Sequence, residues 1–208
     1  MDFLTVAHDH VIVVPIKAFA DAKQRLSPTL QTSQRAELAA SMAKHVLNQL
    51  ADQHVVVVGN DAEVRALAVS CGASVLDDLG GGLNRALEGA LSHLQKLGAV
   101  RATIVHADLP HATRLSGIIE PLRLGKRDVM LIPDRRGDGT NVLSIPLTQQ
   151  FRLSYGVGSF RKHLDEASSL TRIQRLHPIV VLNRSFAHDV DVPADLKQDE
   201  RAEGLGAT

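Results

Sequence analysis

A chain of 208 residues is long enough to bury a full core as one domain, 1–208, with a polar tail from about Lys197. Its 23 basic residues are matched by 23 acidic ones, which points to neither a nucleic acid nor a membrane surface, and without Trp it lacks the stacking platforms of single-strand binders. The single Cys71 excludes an internal disulfide; no apolar run nears the roughly 20 residues that span a bilayer, and the N-terminus lacks a signal pattern, so a cytoplasmic protein is expected.

In chain order, Val11 to Val14 is a continuous β-branched run, the pattern of a strand buried on both faces. Pro15 ends it, and a loop follows that carries Lys17, Lys23 and Arg25 before Ser27-Pro28 closes it. Ser33 caps a predicted helix to about Leu50, in which Leu38, Met42 and Val46 form a stripe. His54 to Val58 reads as a strand, Asn60 or Asp61 as the next cap, and Gly72 as the left-handed end of that helix. Ala73 to Leu76 is a short strand, and Gly80-Gly81-Gly82 leads into a helix from Leu83 to about Leu97. Val100 to His106 is a strand, followed by Asp108-Leu109-Pro110 and a helix around Leu115 to Leu124. Asp128 to Pro133 and Val142 to Ile145 are strands flanking an arginine- and glycine-rich loop. A helix near Phe160 to Ala167, strands within 172–182 and a short helix from Pro193 complete the pattern. The alternation predicts an α/β domain with a mainly parallel sheet covered on both faces.

Ligands of such sheets lie beyond the carboxyl ends of the strands. Three cations in the first such loop suit a triphosphate, although loop cations are also common solvated surface. Asp108, just past a buried strand, suits a divalent cation held against phosphate oxygens, or else caps the next turn. Asp189 and Asp191 are two residues apart and point to one face of an extended segment, a pair that suits a metal or a plain turn. In PDRRGDGTNVL, glycines free the backbone to approach an anion, and Arg135, Arg136, Thr140 and Asn141 add donors. YGVGSF repeats the logic with Gly156, Gly158 and Ser159 at a helix start. His106 reads as a packed core histidine, and His8 and His10 as incidental. No dinucleotide fingerprint, Walker loop, nucleophile elbow or Cys/His metal spacing is present.

Taken together, VPIKAFADAKQRLSP, GGGLNRAL, HADLP, PDRRGDGTNVL, YGVGSF and DVDVPADL resemble the 2-phospho-L-lactate guanylyltransferase family. That family includes the phosphoenolpyruvate and 3-phosphoglycerate guanylyltransferases of deazaflavin coenzyme (coenzyme F-420) biosynthesis. The pieces stand in family order from Val11 to Leu196. The resemblance implies a three-layer α/β/α nucleotidyltransferase fold of the GT-A-like kind. It implies GTP against Pro15, Lys17, Lys23 and Arg25, with Gly82, Leu83 and Asn84 bordering guanine and ribose. It implies catalytic roles for Lys17, Lys23, Arg25 and Asp108, and magnesium, with manganese as the alternative, on Asp108 and Asp191, or Asp189 in its place. The phospho-acid acceptor would meet Arg135, Thr140, Asn141, Gly156 and Ser159. A homodimer and hand-off of product to the downstream deazaflavin-modifying transferase are compatible with it. Val192 departs from the family's usual Thr, and Asp138 puts a negative charge near an expected anion site. Two competing readings are a related sugar-phosphate or molybdopterin nucleotidyltransferase, against which the absence of a glycine-rich first loop argues, and a non-catalytic nucleotide-binding regulator, against which the three retained aspartates argue.

Overall fold

The computed structural model describes residues 8–174 and 176–196. Seven strands form one sheet: β1 (His10–Pro15), β2 (Val55–Val58), β3 (Ser74–Leu76), β4 (Arg101–Val105), β5 (Asp128–Pro133), β6 (Thr140–Pro146) and β7 (His177–Val180). Their order across the sheet is β3-β2-β1-β4-β6-β5-β7. Only β6 runs antiparallel, paired with β4 on one side and β5 on the other. The chain steps outward from β1 to β2 and β3, then returns to the other side of β1 to form β4. That reversal makes the carboxyl ends of β1 and β4 a topological switch point, where open α/β sheets bind ligands.

Alternating strand residues supply two apolar layers because successive side chains point to opposite faces. Ile12, Val14, Val57, Met130 and Ile132 pack with α1 (Thr32–Gln49), α2 (Ala62–Ser70), α4 (Ser116–Leu122) and α6 (Arg184–Ala187). Val11, Val13, Val56, Ile104 and Leu143 pack on the other face with α3 (Leu83–Lys96) and α5 (Ser159–Gln174). The result is the expected three-layer α/β/α arrangement. A smaller cluster of Leu26, Met42 and Val190 fastens the opening loop and the C-terminal segment to α1.

Boundaries differ where local hydrogen bonding decides them. The cap of α1 is Gln31, not Ser33, through a reciprocal bond with Gln34. Asp61 caps α2 by accepting from the N–H groups of Glu63 and Val64, while Asn60 instead holds Asp78. The helix expected to reach Leu124 stops at Leu122, where Arg123 turns left-handed at φ 45°. Residues 172–174 belong to α5, so 176–182 holds one strand, β7. The short helix α6 was not expected, and residues 193–196 are helical as expected. The tail from Lys197 lies outside the described residues.

Candidate active site

The opening loop folds back over the carboxyl ends of β1 and β4. Two short 3-10 turns, Phe19–Asp21 and Gln24–Leu26, bury Phe19 and Leu26 as anchors. Between them Lys23 adopts a left-handed backbone, φ 53° and ψ 39°, which L-residues with a side chain rarely take. This sends Lys23 inward, leaving its side chain 8% exposed. Its Nζ donates to Asp108 Oδ2 at 2.5 Å and to Asp191 Oδ1 at 2.9 Å, joining groups 85 and 168 residues away. Burial works against the ammonium, but Asp108 and Asp191 outweigh it and hold the lysine pKa above its ordinary value. Asp108 shows the converse: burial pushes it up, and Lys23 and His106 with a backbone hydrogen bond together outweigh burial and hold it low. Arg25 lies 3.9 Å from Asp191 and is mostly exposed, so this pairing is weak. Lys17 is exposed on the same loop, one residue beyond the buried Ile16.

Asp189 stands apart from the lysine. Burial first, then Asp108 and Asp191, push its carboxyl up to about 6. Asp108 Oδ1 is enclosed without a hydrogen-bond partner. Lys23 is shared between Asp108 and Asp191, and Asp189 adds a third carboxylate beside them, so the lysine alone does not balance the group. A divalent cation suits that imbalance, and Asp108 with Asp191 are the residues that would hold it. Among the described residues no three His, Cys, Asp or Glu side chains form a ready-made metal group. The fit instead rests on donor chemistry: oxygen ligands from two aspartates, with Asp108 Oδ1 unpartnered, suit a hard cation that completes its shell with water and phosphate oxygens.

The other expected residues line the same edge. Gly82 begins α3 at φ 90°, a conformation open to glycine at little cost. Leu83 is half-buried against the α3-side core. The Asn84 amide clasps the backbone of Tyr155, donating to its carbonyl at 3.2 Å and accepting its N–H at 2.7 Å. That clasp brings GGGLNRAL and YGVGSF together although 71 residues separate them. Gly156, at φ 121°, turns the chain toward Ser159. Ser159 and Thr140 are 2% and 1% exposed, and the Ser159 hydroxyl accepts the Thr140 N–H at 3.0 Å. Asn141 is buried and donates to the Phe186 carbonyl. These polar side chains are bonded to the protein's own backbone because enclosed polar groups otherwise lose hydration without return. Asp138 is likewise accounted for: its carboxylate accepts the Gly158 N–H at 3.1 Å.

Three residues given no role by the sequence organise these loops. Asp134 accepts the N–H groups of Arg136, Asp138 and Gly139, shaping the arginine loop. Asp195 is 1% exposed, accepts the N–H groups of Asp191 and Val192, and pairs with Arg135 and Arg136. It locks the metal-type carboxylate segment to the arginine loop. An aspartate placed one turn after Val192 was the available signal. His163 takes the Ser154 N–H on Nε2 at 2.9 Å, so its proton sits on Nδ1 and faces Thr140 Oγ1 at 3.0 Å. Burial, then His106 and Lys162, depress its pKa to about 4.

The fold and its charged carboxyl edge define a nucleotidyltransferase-type α/β protein. A structure described as that of a nucleotide-diphospho-sugar transferase from Desulfovibrio desulfuricans superposes with a TM-score of 0.74 at 16% identity, covering 96% of this chain and 89% of the other. A nucleotidyl transferase from Methanothermobacter gives 0.61 at 12% identity, covering 97% and 100%. Residues 10–198 match the family described as guanylyl transferase CofC like, and the chain belongs to that family. It is 33% identical to the phosphoenolpyruvate guanylyltransferase of Sphaerobacter thermophilus over 90% of this chain and 91% of the relative. It is 27% identical to the 2-phospho-L-lactate guanylyltransferase of Methanocaldococcus jannaschii, over 89% and 80%. No helix among the described residues is long and apolar enough to cross a membrane.

Proposed function

We propose that this chain transfers GMP from GTP to a three-carbon phospho-acid, with release of pyrophosphate, as a step of deazaflavin coenzyme biosynthesis. The observation that carries this reading is the meeting of Lys23, Asp108 and Asp191 at the switch point of the sheet. Lys17, Lys23 and Arg25 lie along the triphosphate, and Gly82, Leu83 and Asn84 border the nucleoside. Thr140, Gly156 and Ser159 build the acceptor end, with Arg135 and Asn141 holding its shape.

An acceptor phosphate oxygen forms a bond to the α-phosphorus of GTP, and the bond to the pyrophosphate oxygen breaks. A phosphate monoester has a second pKa near 6 and is largely dianionic at neutral pH, so no strong general base is needed. The work is to hold two anions together in line, which is electrostatic and positional. Lys17 and Arg25 lower repulsion at the triphosphate, and the buried Lys23 holds the Asp108 and Asp191 carboxylates in place by donating to both. Asp108 and Asp191 are the residues that would hold magnesium, or manganese in its place, which would supply further neutralisation at the transferring phosphate. A homodimer and hand-off to a downstream deazaflavin-modifying transferase belong to the same reading.

The test combines GTP and magnesium with 2-phospho-L-lactate, phosphoenolpyruvate and 3-phosphoglycerate, each in turn, and follows pyrophosphate release and product mass. One acid is expected to yield a guanylylated product. Asp108→Asn should keep its fold by circular dichroism and lose roughly a hundredfold or more in turnover. Near-normal turnover of that variant at saturating magnesium would sink the metal assignment.

A further inference from the structure

Beneath the charged cluster lie two polar side-chain atoms with no hydrogen-bond partner. Tyr155 Oη and His106 Nε2 are both enclosed, and neither is paired among the described residues. An enclosed polar atom left unpaired carries its full desolvation cost, so each such atom calls for a partner of its own. The two are neighbours: their rings lie 5.1 Å apart, tilted by 36°. They also stand at the seam of the site. His106 is two residues before Asp108, and its ring feels the charges of Asp108, Lys23 and Asp191. Its backbone N–H donates to the Asn141 carbonyl, the residue after Thr140. Tyr155 precedes Gly156 and is gripped by Asn84 on its backbone, which fixes the ring without using its hydroxyl. The pair thus lies between the metal-type carboxylates and the acceptor segment.

We infer that His106 Nε2 and Tyr155 Oη read a hydroxyl group on the acceptor, so that the preferred phospho-acid is a hydroxy-acid of the phosphoglycerate type. This rests on the guanylyltransferase reading and narrows it. A hydroxyl donates one hydrogen bond and accepts others, so it satisfies the pair whichever of the two presents its proton. A carboxylate suits the position less well. It would enter an enclosure beside the carboxylates of Asp108 and Asp191, where burial and like-charge repulsion both oppose it. A methyl or methylene group, as in phospholactate or phosphoenolpyruvate, would leave both atoms unpaired. Sites built to bond a substrate hydroxyl discriminate strongly against analogues lacking one, for this reason.

The experiment measures kcat/KM for 3-phosphoglycerate, phosphoenolpyruvate and 2-phospho-L-lactate, with GTP saturating, in the wild type, Tyr155→Phe, His106→Leu and His106→Gln. The wild type should favour the hydroxylated acid. Tyr155→Phe should lower the ratio of kcat/KM for 3-phosphoglycerate over phosphoenolpyruvate by roughly tenfold or more. His106→Leu should do the same, with His106→Gln restoring part of the ratio because its amide again offers a hydrogen bond. The melting temperature gives a readout independent of turnover. Removing a hydroxyl that bonds nothing inside the protein should leave the Tyr155→Phe melt level or raise it. A wild-type preference for phosphoenolpyruvate or phospholactate, an unchanged ratio, or a lowered melt would each overturn the inference while leaving guanylyl transfer standing. Absence of pyrophosphate release with every acid would instead remove the reading on which it rests.

Discussion

The Thr140 N–H is buried, and its hydrogen goes to the Ser159 hydroxyl, which is itself 2% exposed. At the scale of single residues this bond ties β6 to the start of α5, and the proposed acceptor contact would be a second, separable duty of Ser159. Ser159→Ala removes the acceptor of a buried N–H, and a loss of about 1–3 kcal/mol of stability is expected. If Ser159 also contacts the phospho-acid, Ser159→Ala should raise the apparent constant for that substrate more than the constant for GTP. Titrating each substrate separately beside a thermal melt distinguishes the two duties. A lowered melt with unchanged acceptor kinetics would leave Ser159 as a fastening alone.

Among elements, the decisive contact joins the helical turn at 193–196 to the loop between β5 and β6. Asp195 holds the Asp191 and Val192 N–H groups with one oxygen and both arginines with the other. Burial alone would raise its pKa, but the two N–H groups, followed by Arg135 and Arg136, outweigh it and hold the carboxyl low. Asp195→Ala should cost about 1–3 kcal/mol, the scale of losing hydrogen bonds to a charged group, with Arg135 and Arg136 remaining partly hydrated. It should also raise the magnesium concentration needed for half-maximal turnover, because Asp191 is no longer aimed. Asp195→Asn, which keeps an oxygen for the two N–H groups, should recover more of the magnesium response than of the stability. A variant whose melt falls while its magnesium dependence stays fixed would confine Asp195 to a structural tie.

For the molecule as a whole, histidines whose pKa is depressed by burial contribute to acid sensitivity. His10 bonds Thr103 Oγ1 at 2.7 Å, and burial, then Arg101, depress its pKa to about 4. His163 is depressed to about the same value. A histidine kept neutral by the fold contributes stability in full above its unfolded value of about 6.5, and loses it as pH falls toward about 4, since the unfolded chain then binds the proton more readily. Asp189, raised to about 6, acts in the opposite sense over part of that window, because its proton returns as pH falls. The contribution of His10 is therefore read as a difference. Urea unfolding at about pH 7 and about pH 5 should show a smaller drop in His10→Gln than in the wild type. Equal drops would place the acid sensitivity elsewhere.

The sequence by itself determined most of the elements, α6 excepted, and the edge where chemistry gathers. Val11 to Val14 and Val55 to Val58 are buried on both faces because a continuous β-branched run fits only a covered strand, and both runs are strands in the structure. Order along the chain also placed the first loop, Asp108 and the arginine loop at carboxyl ends of strands, since strands of a parallel sheet share one direction. What only the tertiary structure decided is which side chains meet. Nothing local in ADAKQRL announces a left-handed Lys23, and its partners lie 85 and 168 residues away. The same holds for Asn84 with Tyr155, for Thr140 with Ser159 and His163, and for Asp195 with the arginines. Hydrophobic periodicity repeats within a few residues and can be read from the chain. A buried hydrogen bond depends on the final approach of distant segments, so the duties of these polar groups were fixed only when the sheet closed.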